Sequence, residues 1–298
     1  MKKTLAIALA LVCCLGLLAA CGEPASDPSE APASEAPASE APASEAPSSE
    51  PIELTGIVNT DGSTSMNDVM LALIEGFKSV QRGVTVNYNG SGSGSGISGV
   101  LAGSCDLGLS SRALTDDEKA EGAVENVIAK DGVAVVVNPA NPVTELTTEQ
   151  IAKIFTGEIT NWSEVGGEDA EIAVFGRDSA SGTRSAFEEI LGIQDKCAYL
   201  NEYSSTGDVI GNVASNPNAI GYASLSAVDE TVSAVSVDGV APTEATVADG
   251  SFPIQRPFVI VTVEGTELSE AAQAFLNYAM SADVADIIAA AGAVSANG

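Results

Sequence analysis

The sequence lacks histidine and is poor in basic residues. No histidine occurs among its 298 residues, which excludes Ser-His-Asp and Cys-His catalysis as well as the common histidine-bearing zinc sites. Only 12 lysines and arginines stand against 41 aspartates and glutamates, giving a net charge of −29. A charge of this sign argues against nucleic acid or an anionic membrane surface as a partner. An anionic ligand is not excluded, because distant surface charge is screened within about 10 Å.

Cysteine is also scarce, and three of the five cysteines lie within the first 21 residues. Residues 1–20 join two lysines to an apolar run shorter than the roughly 20 residues of a membrane span, a pattern typical of an export signal peptide. The segment LAACG (18–22) resembles the lipobox of bacterial lipoproteins, which predicts that Cys21 is lipid-modified. The spacing of Cys105 and Cys197 leaves their pairing open, and we favour two separate buried thiols.

Residues 21–51 contain no aromatic side chain, and their Pro, Ala, Ser and Glu residues include the unit APASE three times in succession. Such a composition cannot bury enough apolar surface to offset the entropy of ordering. We therefore expect a disordered, extended tether between the lipid anchor and a folded body that begins near residue 52.

Apolar, β-branched runs alternate with helical periodicity in the body, which predicts an α/β fold. The predicted strands are residues 52–58, 84–88, 107–109, 133–137, 172–175, 220–223 and 258–263. The predicted helices are residues 66–79, 95–102, 115–121, 148–156, 182–191, 206–214, 267–280 and 282–291.

Four of the predicted strand-to-helix junctions are rich in glycine, serine or threonine. A helix amino end offers unpaired N–H groups and a partial positive charge of about +0.5, and hydroxyls add further donors. Together these features form an anion site with little formal charge. The alternative is that these residues are ordinary helix caps and turns, but four such junctions, one with Arg177 and Arg184, favour the anion site.

The run NGSGSGSGISG (89–99) contains a G-x-G-x-x-G match but does not predict a dinucleotide site. The loop is longer than the tight turn of that fingerprint, and the acidic residues about twenty positions later fall at a predicted helix start. The sequence also contains no Gly-Lys pair, which excludes a P-loop, and the serines of this run do not form G-x-S-x-G.

From about residue 52 onward the chain resembles the phosphate-binding proteins of bacterial phosphate ABC transporters. The blocks that carry the resemblance, in family order, are GSTS (62–65), GSGSG (90–94), DLGLSSR (106–112), IFTGEITNW (154–162), Arg177 with SGTR (181–184), NPNAIGY (216–222) and RPF (256–258). The resemblance implies a two-lobed, periplasmic-binding-protein-like α/β fold. Two crossover strands, near residues 133–138 and 254–259, would join the lobes around a ligand cleft. Lobe I would comprise residues 52–132 and 258–298, and lobe II residues 133–257.

The resemblance also implies which residues bind phosphate. Those at the matching positions are Thr64, Ser65, Ser93, Ser111, Arg177, Ser181, Gly182 and Thr183. Arg177 would offer its guanidinium fork to two phosphate oxygens, unless it forms a surface ion pair with Asp178.

Ser111 stands where some family members have an aspartate that accepts a hydrogen bond from protonated phosphate. A neutral serine makes the rejection of sulfate less assured, and Asp61 or Asp208 would be the replacement acceptor. Arg112 either points at the ligand or balances neighbouring acidic residues.

These observations together predict a lipid-anchored, extracytoplasmic phosphate receptor that delivers its ligand to the permease subunits of an ABC transporter. We expect a monomer without a cofactor, metal or enzymatic activity, held only by its anchor on the outer face of a single-membrane, Gram-positive type of cell. The alternatives are a receptor for sulfate or molybdate, an exported phosphoester hydrolase that uses Ser93 or Ser181, and a surface adhesion module with a vestigial cleft.

Overall fold

The computed structural model describes residues 53–297 of the chain. The predicted signal peptide, the lipidation site Cys21 and the tether lie outside these residues. Within residues 53–297, no helix has the length and apolar character needed to cross a membrane.

The described residues form an α/β structure. The strands are β1 (Thr55–Gly62), β2 (Gly83–Gly90), β3 (Leu107–Ser110), β4 (Ala123–Val137), β5 (Glu145–Leu146), β6 (Ala173–Arg177), β7 (Asn201–Tyr203), β8 (Ala219–Ser224), β9 (Ser233–Ala234), β10 (Ser236–Val237), β11 (Gln255–Val263) and β12 (Val294–Ser295). The helices are α1 (Asn67–Val80), α2 (Ser93–Leu101), α3 (Asp116–Ala120), α4 (Thr148–Phe155), α5 (Gly182–Leu191), α6 (Thr206–Ser215), α7 (Glu244–Ala248), α8 (Glu270–Ala279) and α9 (Ala285–Ala290).

The main sheet follows the order β2-β1-β3-β11-β4-β8-β6-β7. Strands β2, β1 and β3 are mutually parallel, as are β8, β6 and β7. Between these two parallel groups, β11 pairs antiparallel with both β3 and β4, and β4 pairs antiparallel with β8. The sheet thus consists of two parallel halves that are joined through the long antiparallel pair β4 and β11.

Each half of the sheet packs against its own hydrophobic core. Core 1, around Phe77 and Phe275, includes Ile128 and Ala129 of β4 and Phe258 of β11. Core 2, around Trp162 and Phe187, includes Val133, Val135 and Val137 of β4 together with Ile254, which precedes β11. The chain therefore passes from one core to the other twice, in β4 between residues 129 and 133 and at the start of β11 between residues 254 and 258.

Several predicted bounds need correction. The strand predicted at 133–137 begins ten residues earlier, at Ala123, because β11 pairs along its polar first part. The helix predicted at 95–102 begins at Ser93, so Ser93 is the first residue of α2 and not part of the loop. The single helix predicted at 282–291 is a 3-10 turn, Ala282–Val284, followed by α9. By contrast, α5 has the predicted bounds, capped by the Ser181 hydroxyl and ended by left-handed Gly192.

Candidate functional site

Buried hydroxyl groups from both halves of the sheet meet at the carboxyl ends of the parallel strands. Each follows a strand end, and several open the next helix, where N–H groups have no partner within the helix. We call this set the hydroxyl cluster; its members are Thr64, Ser65, Ser93, Ser111, Thr183 and Thr206. All except half-buried Thr64 are buried. The structure thus brings together Ser and Thr residues from five of the strand ends.

The core 1 and core 2 sides of the hydroxyl cluster are in direct contact. The Ser65 hydroxyl oxygen lies 2.6 Å from that of Thr183 and 3.0 Å from that of Thr206. Thr64 Oγ1 lies 3.3 Å from Thr206 Oγ1 and also accepts the Thr206 backbone N–H at 3.3 Å. A groove of about 620 Å³, lined in part by Thr64, Tyr88 and Thr206, extends from this contact.

Ser93 and Ser111 form the other part of the hydroxyl cluster. Ser93 Oγ accepts the Ser111 backbone N–H at 3.1 Å and lies 3.3 Å from Ser111 Oγ. A Cβ atom on Gly182 would lie only 2.2 Å from Ser93 Oγ, so glycine is required for the starts of α2 and α5 to approach this closely. Gly92, which caps α2 with φ +101, places Ser93 at the helix start in a conformation that favours glycine.

Arg177, at the end of β6, brings a positive charge to the hydroxyl cluster. It is 1% exposed, which rules out the alternative of a surface ion pair with Asp178. Its Nη1 donates to Thr206 Oγ1 at 3.0 Å, and its Nε and Nη2 donate to the carbonyls of Tyr203 and Ser204. Burial lowers the pKa of this guanidinium, although not enough for an arginine to lose its charge. Arg177 therefore places a buried cation among neutral hydroxyls.

The backbone of Arg177 is held on both sides by a ring of hydrogen bonds, which we call the Arg177 clamp. Its N–H donates to Tyr222 Oη at 3.0 Å, and Tyr222 Oη lies 3.2 Å from Tyr199 Oη. Tyr199 donates to Glu188, which also accepts from Arg184 Nε. Arg184 Nη1 closes the ring by donating to the Arg177 carbonyl at 2.9 Å. Burial raises the pKa of both tyrosines, so these hydroxyls keep their protons.

Ser181, Gly182 and Thr183 form the start of α5 beside this clamp. Ser181 is buried and its oxygen accepts the Arg184 N–H at 3.2 Å, which leaves the serine proton available to donate. Gly182 and Thr183 are the first two residues of α5, and N–H groups at such positions have no acceptor within the helix. The residues predicted for this segment therefore lie together at the hydroxyl cluster.

Three further predicted residues point elsewhere. Arg112 forms a two-pronged ion pair with Glu118, at 2.6 and 2.8 Å, so of its two proposed roles the structure favours the balancing of acidic residues. Asp61 accepts from Asn89 and Ser91 at the ends of β1 and β2. Asp208 is exposed in the first turn of α6. The structure thus gives no support to a ligand contact for Arg112, or to Asp61 or Asp208 as the replacement acceptor, because each is paired or exposed outside the hydroxyl cluster.

Two features of the site were not predicted from the sequence. Thr206 contacts Thr64, Ser65 and Arg177, and the run SSTG (204–207) has the same small hydroxyl character as the four predicted junctions. A buried ion pair between Asp131 and Arg256 lies next to Ser111, and no local pattern indicates it.

The two cysteines of the described residues are both free and half-buried. Burial raises the pKa of each thiol to about 11. Cys197 packs against core 2, whereas Cys105 packs against a smaller cluster around Ile97 and Val259. The separate thiols favoured from the sequence are therefore what the structure contains.

Comparison with known proteins identifies the family. The model of the PBP superfamily domain matches residues 31–283. The phosphate-binding protein PstS of Borreliella burgdorferi is 31% identical over 244 residues, which cover 78% of this chain and 87% of the relative. PstS of Bacillus subtilis is 33% identical and covers 77% of each chain.

Solved structures agree with these relatives. A Clostridium perfringens protein described as a phosphate ABC transporter substrate-binding protein, crystallised with bound phosphate, is 40% identical with a TM-score of 0.78. The similarity covers 81% of this chain and 100% of that one. An ABC-type phosphate transport receptor from Vibrio cholerae is 33% identical, with a TM-score of 0.67 and coverage of 80% and 100%. The chain belongs to the PBP superfamily and, within it, to the family of the PstS phosphate-binding proteins.

Proposed function

We propose that this chain is an extracytoplasmic receptor that captures inorganic phosphate between two lobes and delivers it to the permease of an ABC transporter. The observation that carries this proposal is the buried Arg177 guanidinium surrounded by hydroxyls from both halves of the sheet. Arginine with hydroxyl and helix N–H donors recognises a small oxyanion through charge-assisted hydrogen bonds. The phosphate named for the Clostridium and Vibrio relatives identifies the anion.

The proposed phosphate ligands come from both sides of the cleft. Lobe I, residues 52–132 and 258–298, would contribute Thr64, Ser65, Ser93 and Ser111. Lobe II, residues 133–257, would contribute Arg177, the start of α5 at residues 181–183, and Thr206. Closure of the two lobes would bring both sets onto one anion, as in hinge-type binding proteins.

The proposal includes a lipid anchor on Cys21 after removal of the signal peptide 1–20. Two or more acyl chains such as palmitate hold a protein stably on a membrane, whereas one chain does so only marginally. The tether 21–51 would let a monomeric receptor stand away from the outer face of a single cell membrane. Radiolabelled palmitate incorporated into the wild type but not into Cys21→Ala would support the anchor, and equal labelling would contradict it.

Isothermal titration of the full-length protein with phosphate and with sulfate tests the ligand. We expect phosphate to bind more tightly than sulfate, and Ser93→Ala to weaken it because a buried donor is lost. Ser98→Ala is the matched control, because Ser98 is an exposed serine of the same helix. Equal, tight binding of sulfate would contradict phosphate specificity. If the wild type hydrolysed p-nitrophenyl phosphate and Ser93→Ala did not, the chain would be a hydrolase and the receptor function would be contradicted.

A further inference from the structure

A buried ion pair joins the two long strands where they pass between the cores. Asp131 of β4 and Arg256 of β11 are direct partners in the antiparallel register. Their side chains are 0% and 1% exposed. On β4 the pair lies between Ala129 of core 1 and Val133 of core 2. The ion pair therefore occupies the place where one half of the molecule would pivot against the other.

Every side-chain nitrogen and oxygen of this pair makes a hydrogen bond. Arg256 Nε and Nη2 both donate to Asp131 Oδ2, at 3.1 and 3.0 Å. The same carboxylate accepts from the Ser224 hydroxyl at 2.7 Å and from the Ser226 N–H at 3.4 Å. The Arg256 guanidinium also lies over the Phe258 ring, 5.5 Å from its centroid. These bonds hold the guanidinium in one position and direct its remaining nitrogen away from the carboxylate.

That remaining nitrogen reaches the hydroxyl cluster through the backbone. Arg256 Nη1 donates to the Ser111 carbonyl at 3.1 Å. The N–H of Ser111 in turn donates to Ser93 Oγ, and the two serine hydroxyls lie 3.3 Å apart. Arg256 is therefore connected to Ser93 by two successive hydrogen bonds through Ser111, and its Nε, Nη1 and Nη2 each donate within this network.

Stability alone is a weak reason for such a pair. The desolvation of two buried charges often outweighs their attraction, and well-packed apolar residues in their place are frequently as stable. The pair also contributes little net charge to the site, because the Asp131 carboxylate neutralises the guanidinium. A geometric role explains the contacts better, because Arg256 holds the carbonyl of Ser111, the residue whose N–H contacts Ser93 and whose hydroxyl belongs to the hydroxyl cluster.

We propose that Arg256, held by Asp131, is a positioning residue for phosphate, because it fixes Ser111 and through Ser111 the hydroxyl of Ser93. The inference rests on the proposed function of the same site. It predicts that the strand pair β4 and β11 does more than join the lobes, since it also sets the geometry of one corner of the anion site.

A double-mutant cycle tests this role. Phosphate dissociation constants are measured by titration for the wild type, Arg256→Met, Ser111→Ala and the combined variant. We expect Arg256→Met to weaken binding about tenfold in the wild-type background but only about threefold in the Ser111→Ala background, where the backbone N–H of Ser111 still holds Ser93 Oγ. Equal losses in both backgrounds would contradict the positioning of the Ser111 hydroxyl by Arg256. Arg112→Met is the matched control, because Arg112 also pairs with a carboxylate but outside the hydroxyl cluster.

The variant Asp131→Asn with Arg256→Met covers the case in which Arg256→Met leaves Asp131 buried without its partner and does not fold. This double change removes both charges, and we expect it to fold, as judged by thermal unfolding without phosphate, yet to bind phosphate about tenfold more weakly. Wild-type affinity in this folded variant would overturn the role of Arg256 but leave the proposed function standing. Failure of the wild type to bind phosphate would instead overturn the proposed function.

Discussion

The two sides of the cleft share hydroxyl chemistry but differ in how they hold charge. The core 1 side offers Thr64, Ser65, Ser93 and Ser111, all neutral, at the ends of β1, β2 and β3. The core 2 side adds the buried cation Arg177, with the Arg177 clamp behind it. The neutral side is fixed mainly by close backbone approach, whereas the charged side needs a dedicated set of hydrogen bonds.

This difference shows how a strongly acidic protein can hold an anion. The net charge is −29, yet the site has the buried guanidinium of Arg177, which is aimed by carbonyl and hydroxyl partners and not by a carboxylate. Near-field donors act within a few ångströms, whereas surface carboxylates are screened within about 10 Å. The distribution of donors therefore matters more for binding than the overall charge does.

The largest effect is expected on the charged side. Arg177→Met removes a guanidinium that could make two charged hydrogen bonds, each worth about 1.5–3 kcal/mol, so phosphate affinity should fall roughly 10²- to 10⁴-fold. Titration calorimetry measures this loss. Arg82→Met, at an exposed arginine, is the control and should bind as the wild type does. If Arg177→Met lost less affinity than Ser93→Ala, the neutral side would be the dominant one and the comparison would be reversed.

A smaller loss is expected where the two sides meet. The Cβ of Gly182→Ala would press on Ser93, and overpacking of this kind costs about 1–3 kcal/mol, or roughly tenfold in affinity. Small-angle scattering should show that phosphate no longer compacts this variant fully. Gly211→Ala is the control, because a Cβ there meets no atom within 4 Å. Normal affinity and normal compaction in Gly182→Ala would show that the observed approach of α2 and α5 is not needed for binding.

The smallest effect is expected in the Arg177 clamp. Tyr199→Phe breaks the ring between Tyr222 and Glu188, and a lost buried hydrogen bond costs about 1–2 kcal/mol of folding free energy. Phosphate affinity should fall only about threefold, because the direct bonds of the Arg177 side chain remain. Denaturant unfolding and titration measure the two quantities. Tyr278→Phe, a tyrosine that packs on Phe77 of core 1, should leave the affinity unchanged. An affinity loss as large as that of Arg177→Met would mean that the clamp itself contacts the ligand.

Much of the fold follows from local patterns in the sequence. The α5 bounds are readable because Ser181 and Gly192 mark both ends. The first part of β4 was missed because Glu125, Asn126 and Lys130 interrupt its apolar pattern, and only pairing with β11 keeps it extended. Two-residue strands such as β5 and β9 depend entirely on a distant partner and have no periodicity to detect.

The site, like the fold, has residues that local sequence patterns predict and residues whose role depends on distant partners. Thr64, Ser65, Ser93 and Thr183 could be proposed because each lies in a small, hydroxyl-rich junction and in a block that the family shares. Arg256 belongs to such a block too, but its role depends on Asp131, which is 125 positions away in the sequence and adjacent only in the sheet. A pairing of this kind is a property of topology, so no local pattern predicts it.

The hydroxyl–hydroxyl contacts of the cluster have a consequence for the state of the ligand. In the Ser65–Thr183 and Ser93–Ser111 contacts either oxygen can be the donor. Rotation of both hydroxyls about their C–O bonds reverses each of them without moving a heavy atom, because a hydroxyl both gives and receives a hydrogen bond. The site can thus match its proton orientations to singly or doubly protonated phosphate. This reversibility lets one rigid set of atoms serve an anion whose protonation state changes near neutral pH.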